Sequence, residues 1–292
     1  MTTATRGPAT SPTDIPAAGW KRVLVRTKGQ VRSDNVTMLA AGIAFYLMLA
    51  LVPTLAAAVS LYGLIADPAD VAEQIEEFGA AMPRDAEQLL EEQLETITSG
   101  SSTGLGLRFV VALVIALWSA SKGTKAMIEA TNAAFDEEET RGFLRLRLLA
   151  LALTVGGILV IVGALVVVSV FPRIAGDEGS TGRLIASLVR WPLLAVVMMV
   201  ALAVLYRVAP DRVDPHWQWV SPGAVVATLL WVAGSGLFAL YADRFGNFNE
   251  TYGSLGAVVV LMLWLFLSGF VVVLGAELNA EAERQAGANP AS

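Results

Sequence analysis

The chain of 292 residues contains no cysteine and a single histidine, His216. The first absence excludes a disulfide framework, thiolate chemistry and cysteine-held zinc or iron–sulfur centres; the second leaves little for a metal-dependent site. Charge is scarce as well: Asp, Glu, Lys and Arg make up 16% of the residues, against roughly 25% in an ordinary soluble domain. No glycine-rich phosphate loop precedes a lysine, no nucleophile elbow occurs, and no paired histidines stand at ligand spacing. The chain therefore reads as a protein that is not an enzyme and needs no cofactor or metal.

What is abundant is apolar. Hydrophobic residues make up 55% and the mean hydropathy is +0.62, so the bilayer is the expected solvent. The clearest stretch is Thr251 to Ala276, 26 residues without a charge, followed at once by Glu277 and Asn279. At ~1.5 Å per residue it is about 39 Å long, enough to cross a hydrocarbon core of ~30 Å with some tilt. Val36 to Ala66 and Leu148 to Phe171 are uncharged over 31 and 24 residues. Leu184 to Tyr206 is interrupted only by Arg190, and Val220 to Ala242 is entered through Ser221 and Pro222, which suit a helix start. The weakest span has 13 uncharged residues between Arg108 and Lys122, about 20 Å of helix. Either those cations snorkel, or the helix is broken around Ser119, Ser121 and Gly123. The expected fold is all-α: a polytopic six-transmembrane-helix bundle with spans at about 36–66, 105–121, 148–171, 184–206, 220–242 and 251–276.

Outside the spans, composition changes sharply. Residues 1–19 are expected to be a disordered tail. Trp20 to Arg32 carries Lys21, Arg22, Arg26, Lys28 and Arg32 among apolar residues, and reads either as a helix on the membrane surface or as a solvated flank. The membrane domain then covers 34–283, with 1–33 before it and a tail at 284–292. Within it, residues 67–103 set ten acidic residues against one basic residue, Arg84. Apolar positions recur there at helical spacing on both sides of Pro83, so an extracytoplasmic helical hairpin is expected, either a cap or a solvated loop. Assigning the basic flank, the 122–147 segment, the 207–219 loop and the C-terminal tail to one side gathers 13 Lys/Arg there against six opposite. By the positive-inside bias, both termini are then cytosolic.

Ionisable and amide groups at membrane depth are the best guide to function, because burying them is costly without a role or a partner. Glu277 and Asn279 close the sixth span, and Glu129 and Asn132 close the second. With Asp243 and Arg190 they are the candidate substrate-path or proton-coupling residues. The structural alternatives are an ion pair from Glu277 to Arg207 or Arg145, and an Arg190 that snorkels to the headgroups. Pro53, inside the first span, lacks the N–H for one ladder bond and is the candidate hinge.

The runs YRVAPDR (Tyr206 to Arg212), WVSPGAVVATLLW (Trp219 to Trp231), FGNFNETYGSLGAV (Phe245 to Val258) and LGAELNAE (Leu274 to Glu281) resemble the YihY/BrkB family of bacterial inner-membrane proteins. AAGIAFY (Ala40 to Tyr46) with LVP (Leu51 to Pro53) fits the same pattern. The resemblance covers roughly residues 33 to 283. It implies a six-helix bundle in the bacterial cytoplasmic membrane, and it marks a motif turn at Asn247, Asn249, Thr251, Tyr252, Gly253, Ser254 and Gly256. Some members have carried a ribonuclease label, one is linked by name to virulence and serum resistance, and lipid transport or flipping is the function most often proposed for them. The residues give no support to a nuclease, since the long soluble segment is acidic and would repel phosphate. The expected function is a transporter or flippase of a lipid or other amphiphile, with membrane lipids as partners and no nucleic acid. The alternative is a scaffold whose acidic hairpin binds an envelope protein.

Overall fold

The computed structural model describes residues 11–65, 102–169, 181–213, 217–245 and 255–286. Among them every regular element is helical. A 3₁₀ turn at Pro12–Asp14 precedes α1 (Ala17–Ser33), α2 (Val36–Ile65), α3 (Ser102–Ala134), α4 (Phe143–Ser169), α5 (Thr181–Val208), α6 (Trp217–Phe245) and α7 (Leu255–Ala286). Long apolar runs without strand alternation satisfy their backbone groups most simply within one segment, and the helix does that. From α2 to α7 each helix packs against the next, and α7 returns to α2, which closes a ring. The last helix also meets α1 and α3, so four helices surround it.

Two helices contain a stretch long and apolar enough to cross a membrane unaided, Phe143–Ile161 in α4 and Val258–Ala286 in α7. A third arises if α1 and the Val36–Leu51 part of α2, bent by 63° at their junction, act together. Pro192–Val208 and Pro222–Phe238 are shorter apolar pieces. The described residues thus contain two or three self-sufficient crossings where the sequence predicts six. Pro192 and Pro222 lie inside the continuous helices α5 and α6, and Arg108, Lys122, Lys125 and Glu129 interrupt the apolar run of α3.

Four local features decide between or correct the sequence readings. The short second span is one unbroken helix of 33 residues, and the Ser121 hydroxyl donates back to the Trp118 carbonyl at 2.7 Å without breaking it. The fifth starts at Trp217, one turn ahead of Ser221 and Pro222. Residues 12–14, within the stretch expected to be disordered, form a 3₁₀ turn, capped by the Ser11 N–H donating to Asp14 Oδ2 at 2.9 Å. Finally, α1 is neither a simple surface helix nor a solvated flank. Gly19, Val23 and Thr27, four residues apart, are buried along it, and Ile15 and Val23 pack with Leu278, Ala282 and Ala286 of α7.

The junction between α1 and α2 is a two-residue corner. Asp34 ends α1, its N–H donating to the Gln30 carbonyl at 2.8 Å. Asn35 has φ 51°, a left-handed conformation that asparagine tolerates better than most residues. α2 then runs through Pro53 as a continuous helix. The expected hairpin lies, apart from Ser102 and Thr103, outside the described residues.

Candidate functional site: a buried acidic helix end

Towards its C-terminus α7 becomes polar, GAELNAEAER, yet every residue from Gly275 to Glu283 is buried. A helix surrounded on all faces normally carries apolar side chains there. Here Glu277, Asn279, Glu281 and Glu283 each point at a different neighbour, and three of the four have a visible partner.

Asn279 accepts the N–H of Gly223 on α6 at 2.7 Å. Gly223 follows Pro222, which has no N–H to give, so the asparagine steadies a helix at its proline. This contact needs near-touching backbones: a Cβ built on Gly223 would lie 2.0 Å from the Gly275 carbonyl oxygen, and one on Gly275 would lie 2.3 Å from Tyr206 Oη. That tyrosine, fully buried on α5, donates to the Val272 carbonyl at 2.8 Å. Glu281 takes Arg26 of α1 at 2.6 Å and Arg284 at 2.5 Å, and Arg284 continues to Asp136 just beyond α3. Glu283 pairs with Arg212, both almost fully buried, and the guanidinium lies 4.4 Å from the centre of the Phe135 ring.

Glu277 is the exception. It is 0% exposed, and neither carboxylate oxygen has a hydrogen-bond partner. Neither Arg207 nor Arg145, the partners the sequence suggested, holds it.

A second polar knot joins the α3–α4 loop to the residues that follow α5. The buried Asn132 donates from Nδ2 to Glu139 at 2.9 Å and accepts the Asp211 N–H on Oδ1 at 2.8 Å. Arg141 grips Glu139 with two bonds of 2.6 and 2.7 Å and donates to the Ala209 carbonyl at 2.7 Å. Asp211 accepts the Thr140 N–H at 2.7 Å and its hydroxyl at 2.6 Å. The Arg141 guanidinium, with help from the Asn132 amide, holds the Glu139 carboxyl below its ordinary pKa, and the two Thr140 donors do the same for Asp211.

The sequence-predicted residues are thus distributed unequally. Glu277 and Asn279 share the buried end of α7, and Asn132 belongs to the adjoining loop knot. Glu129 faces outward, its side chain 55% exposed and 3.1 Å from Lys125 one turn back, so it is not the counterpart of Glu277. Asp243 and Arg190 lie in α6 and α5, but their side chains fall outside the described residues, as do Asn247, Asn249, Thr251, Tyr252, Gly253 and Ser254. Gly256 is buried in the first turn of α7, and Pro53 is half-buried. Among the residues that sequence reasoning missed are Arg26, Asp34, Glu139, Arg141, Asp211 and Glu283. Asp34 had a signal: it is the only acid between Ile15 and Ala66.

Comparison with known proteins supplies the family. The family described as Virulence factor BrkB matches residues 27–292. The chain belongs to the BrkB family. The ribonuclease-like protein YfkH of Bacillus subtilis is 34% identical over 249 residues, which covers 82% of this chain and 88% of YfkH. A UPF0761 membrane protein of Idiomarina loihiensis is 28% identical over 279 residues, 90% of this chain and 94% of the relative. Another, from Alteromonas mediterranea, is 26% identical over 253 residues, 85% and 83% respectively. No solved structure matches the chain. This BrkB-family chain is a membrane protein, so the apolar side chains on its outer faces, such as Val114, Leu159, Val200 and Leu229, have lipid as their natural solvent.

Proposed function

We propose that this protein is a six-span transporter or flippase of a lipid or other amphiphile, set in the bacterial cytoplasmic membrane with both termini in the cytosol. Helices α2 to α7 have 27 residues or more each, about 40 Å or longer at ~1.5 Å per residue. That length supports six crossings even where a proline or a charge interrupts the apolar run, because neighbouring helices in the ring shelter such positions.

The observation that carries the transport reading is Glu277: a carboxyl group fully enclosed towards the end of an apolar helix, with no donor on either oxygen. A packed scaffold has no use for such a group, whereas a transporter uses one to take up and release charge. Membrane lipids are the proposed partners, and α1 supports this. Its outward stripe, Lys21, Leu24, Val25, Lys28 and Arg32, is exposed at i, i+3, i+4, i+7 and i+11 and suits anionic headgroups. The nuclease activity suggested by the name of YfkH has less support, since the acids at the end of α7 are enclosed.

The test is transbilayer movement of labelled phospholipid in liposomes containing the purified protein. Wild type is expected to move lipid, and the Glu277→Gln variant to reconstitute equally well and move it at least tenfold more slowly. Equal rates for the two proteins, or movement no faster than in empty vesicles across a range of headgroups and pH gradients, would remove the proposal.

A further inference from the structure

Glu277 has a partner of its own sign. Arg22 reaches Gln285 and Arg26 reaches Glu281, so α1 and α7 run in opposite directions. Two turns farther along α1, Asp34 arrives beside the cluster that contains Val31, Val36 and Val273, one turn along α7 from Glu277. The two carboxyl groups interact across the contact between α1 and α7. Both oxygens of Glu277 and Oδ2 of Asp34 are buried without a donor. One further group on the same face of α1, seven residues before Asp34, is also enclosed and unpartnered: the Thr27 hydroxyl oxygen.

Two anionic carboxylates in contact repel, and burial strengthens that repulsion. One proton turns the repulsion into a charge-assisted O–H···O bond. The other charges that face Glu277 do not replace that proton. Asp136, beyond α3, adds negative charge, and Arg284 on α7 is committed to Glu281 and Asp136. Arg26 of α1 is committed to Glu281 and Gln285. Two carboxyls and a hydroxyl offer too few oxygens for a hard metal ion, which takes six or more, and among the described residues no group of three acidic or imidazole ligands forms.

We propose that Asp34 and Glu277 form a proton-binding site that holds one proton between its two carboxyl groups. The site stands on its own geometry. Its role as the ion-coupling centre rests on the transport reading above, and there the proton passes to water on release, leaving both carboxylates charged, and returns from water on uptake. The bent α1–α2 corner, which carries Asp34, is the element that would separate the pair when the proton leaves.

The test is infrared spectroscopy of the protein in lipid at neutral pH. The carbonyl stretch of a protonated, buried carboxyl is expected in wild type, shifted in D₂O, and lost both in Glu277→Gln and in Asp34→Asn. Glu129→Gln, on the exposed face, keeps the band and serves as the control. Because the amide of Glu277→Gln can donate to Asp34 as the proton does, that variant is expected to keep the wild-type melting temperature within a few degrees at neutral pH. It is also expected to lose the wild-type fall in melting temperature that sets in as the pH rises above the unfolded carboxyl pKa of ~4. A wild-type protein without the band, a band that survives both substitutions, or sodium- or potassium-dependent melting that Glu277→Gln abolishes would each overturn the proposal. The spectrum needs no transport, so lipid movement can fail while the band persists, and the two readings fall separately.

Discussion

At Gly275 the α-carbon sits where α5, α6 and α7 touch. An added Cβ would meet Tyr206 Oη at 2.3 Å and the Ala227 Cβ at 2.8 Å, with backbone close behind. Gly275→Ala is therefore expected to destabilise the protein by about 1–3 kcal/mol, as overpacking does, and to displace the Tyr206 hydroxyl from the Val272 carbonyl. Gly156→Ala in α4 is the control: nothing lies within 4 Å of its Cβ, and alanine is the better helix former by ~1 kcal/mol. Thermal unfolding in detergent should rank the two proteins in that order; equal melting would mean that the contact is loose. Asn279→Ala should cost a similar ~1–3 kcal/mol, because the buried Gly223 N–H loses its acceptor.

On the scale of whole elements, the end of α7 is tied to its surroundings by charge. The Arg212–Glu283 pair is almost fully buried, and removing one partner of such a pair leaves the other charged without compensation. Arg212→Ala is expected to cost about 3–5 kcal/mol, whereas an apolar pair at both positions would cost far less. The loop knot makes a prediction about pH. Glu139 and Asp211 have folded pKa values below their ordinary ones, so their contribution to stability is complete above the unfolded pKa of ~4 and disappears as the pH falls through the lower folded values. The melting temperature should therefore drop on acidification in that window, and Arg141→Ala should flatten the drop. An unchanged slope would show that the knot is idle. Neither tie was legible beforehand. The sequence shows that Asn132 and Glu277 end apolar runs, because transfer to lipid acts along one segment at a time. Which arginine meets which acid depends on helices packing far apart in sequence: Arg26 with Glu281, Arg212 with Glu283. The buried face of α1 was hidden for the same reason, since the basic residues around Gly19, Val23 and Thr27 dominate its composition.

For the whole molecule, the decisive question is which loops share a side of the membrane, and α3 decides it. Its apolar core is the shortest, and Arg108 and Lys122 bracket it, so on hydropathy alone it is the weakest crossing. Its 33 continuous residues, packed between α2 and α4, are nevertheless long enough, and charge argues the same way. Without this crossing Arg141, Arg145 and Arg147 would leave the basic side, against the positive-inside bias. The absence of cysteine makes the test clean, because a single introduced thiol is the only target. Glu138→Cys places it in the exposed loop after α3, and Glu87→Cys places it in the acidic segment before α3. A membrane-impermeant maleimide applied to intact spheroplasts is expected to label Glu87→Cys at once and Glu138→Cys only after permeabilisation. Labelling of both from the same side would remove the α3 crossing and, with it, the six-span arrangement. The reversed pattern would keep the crossing but place the Asp34–Glu277 pair at the outer face, so that its proton would exchange with the medium and not with the cytosol.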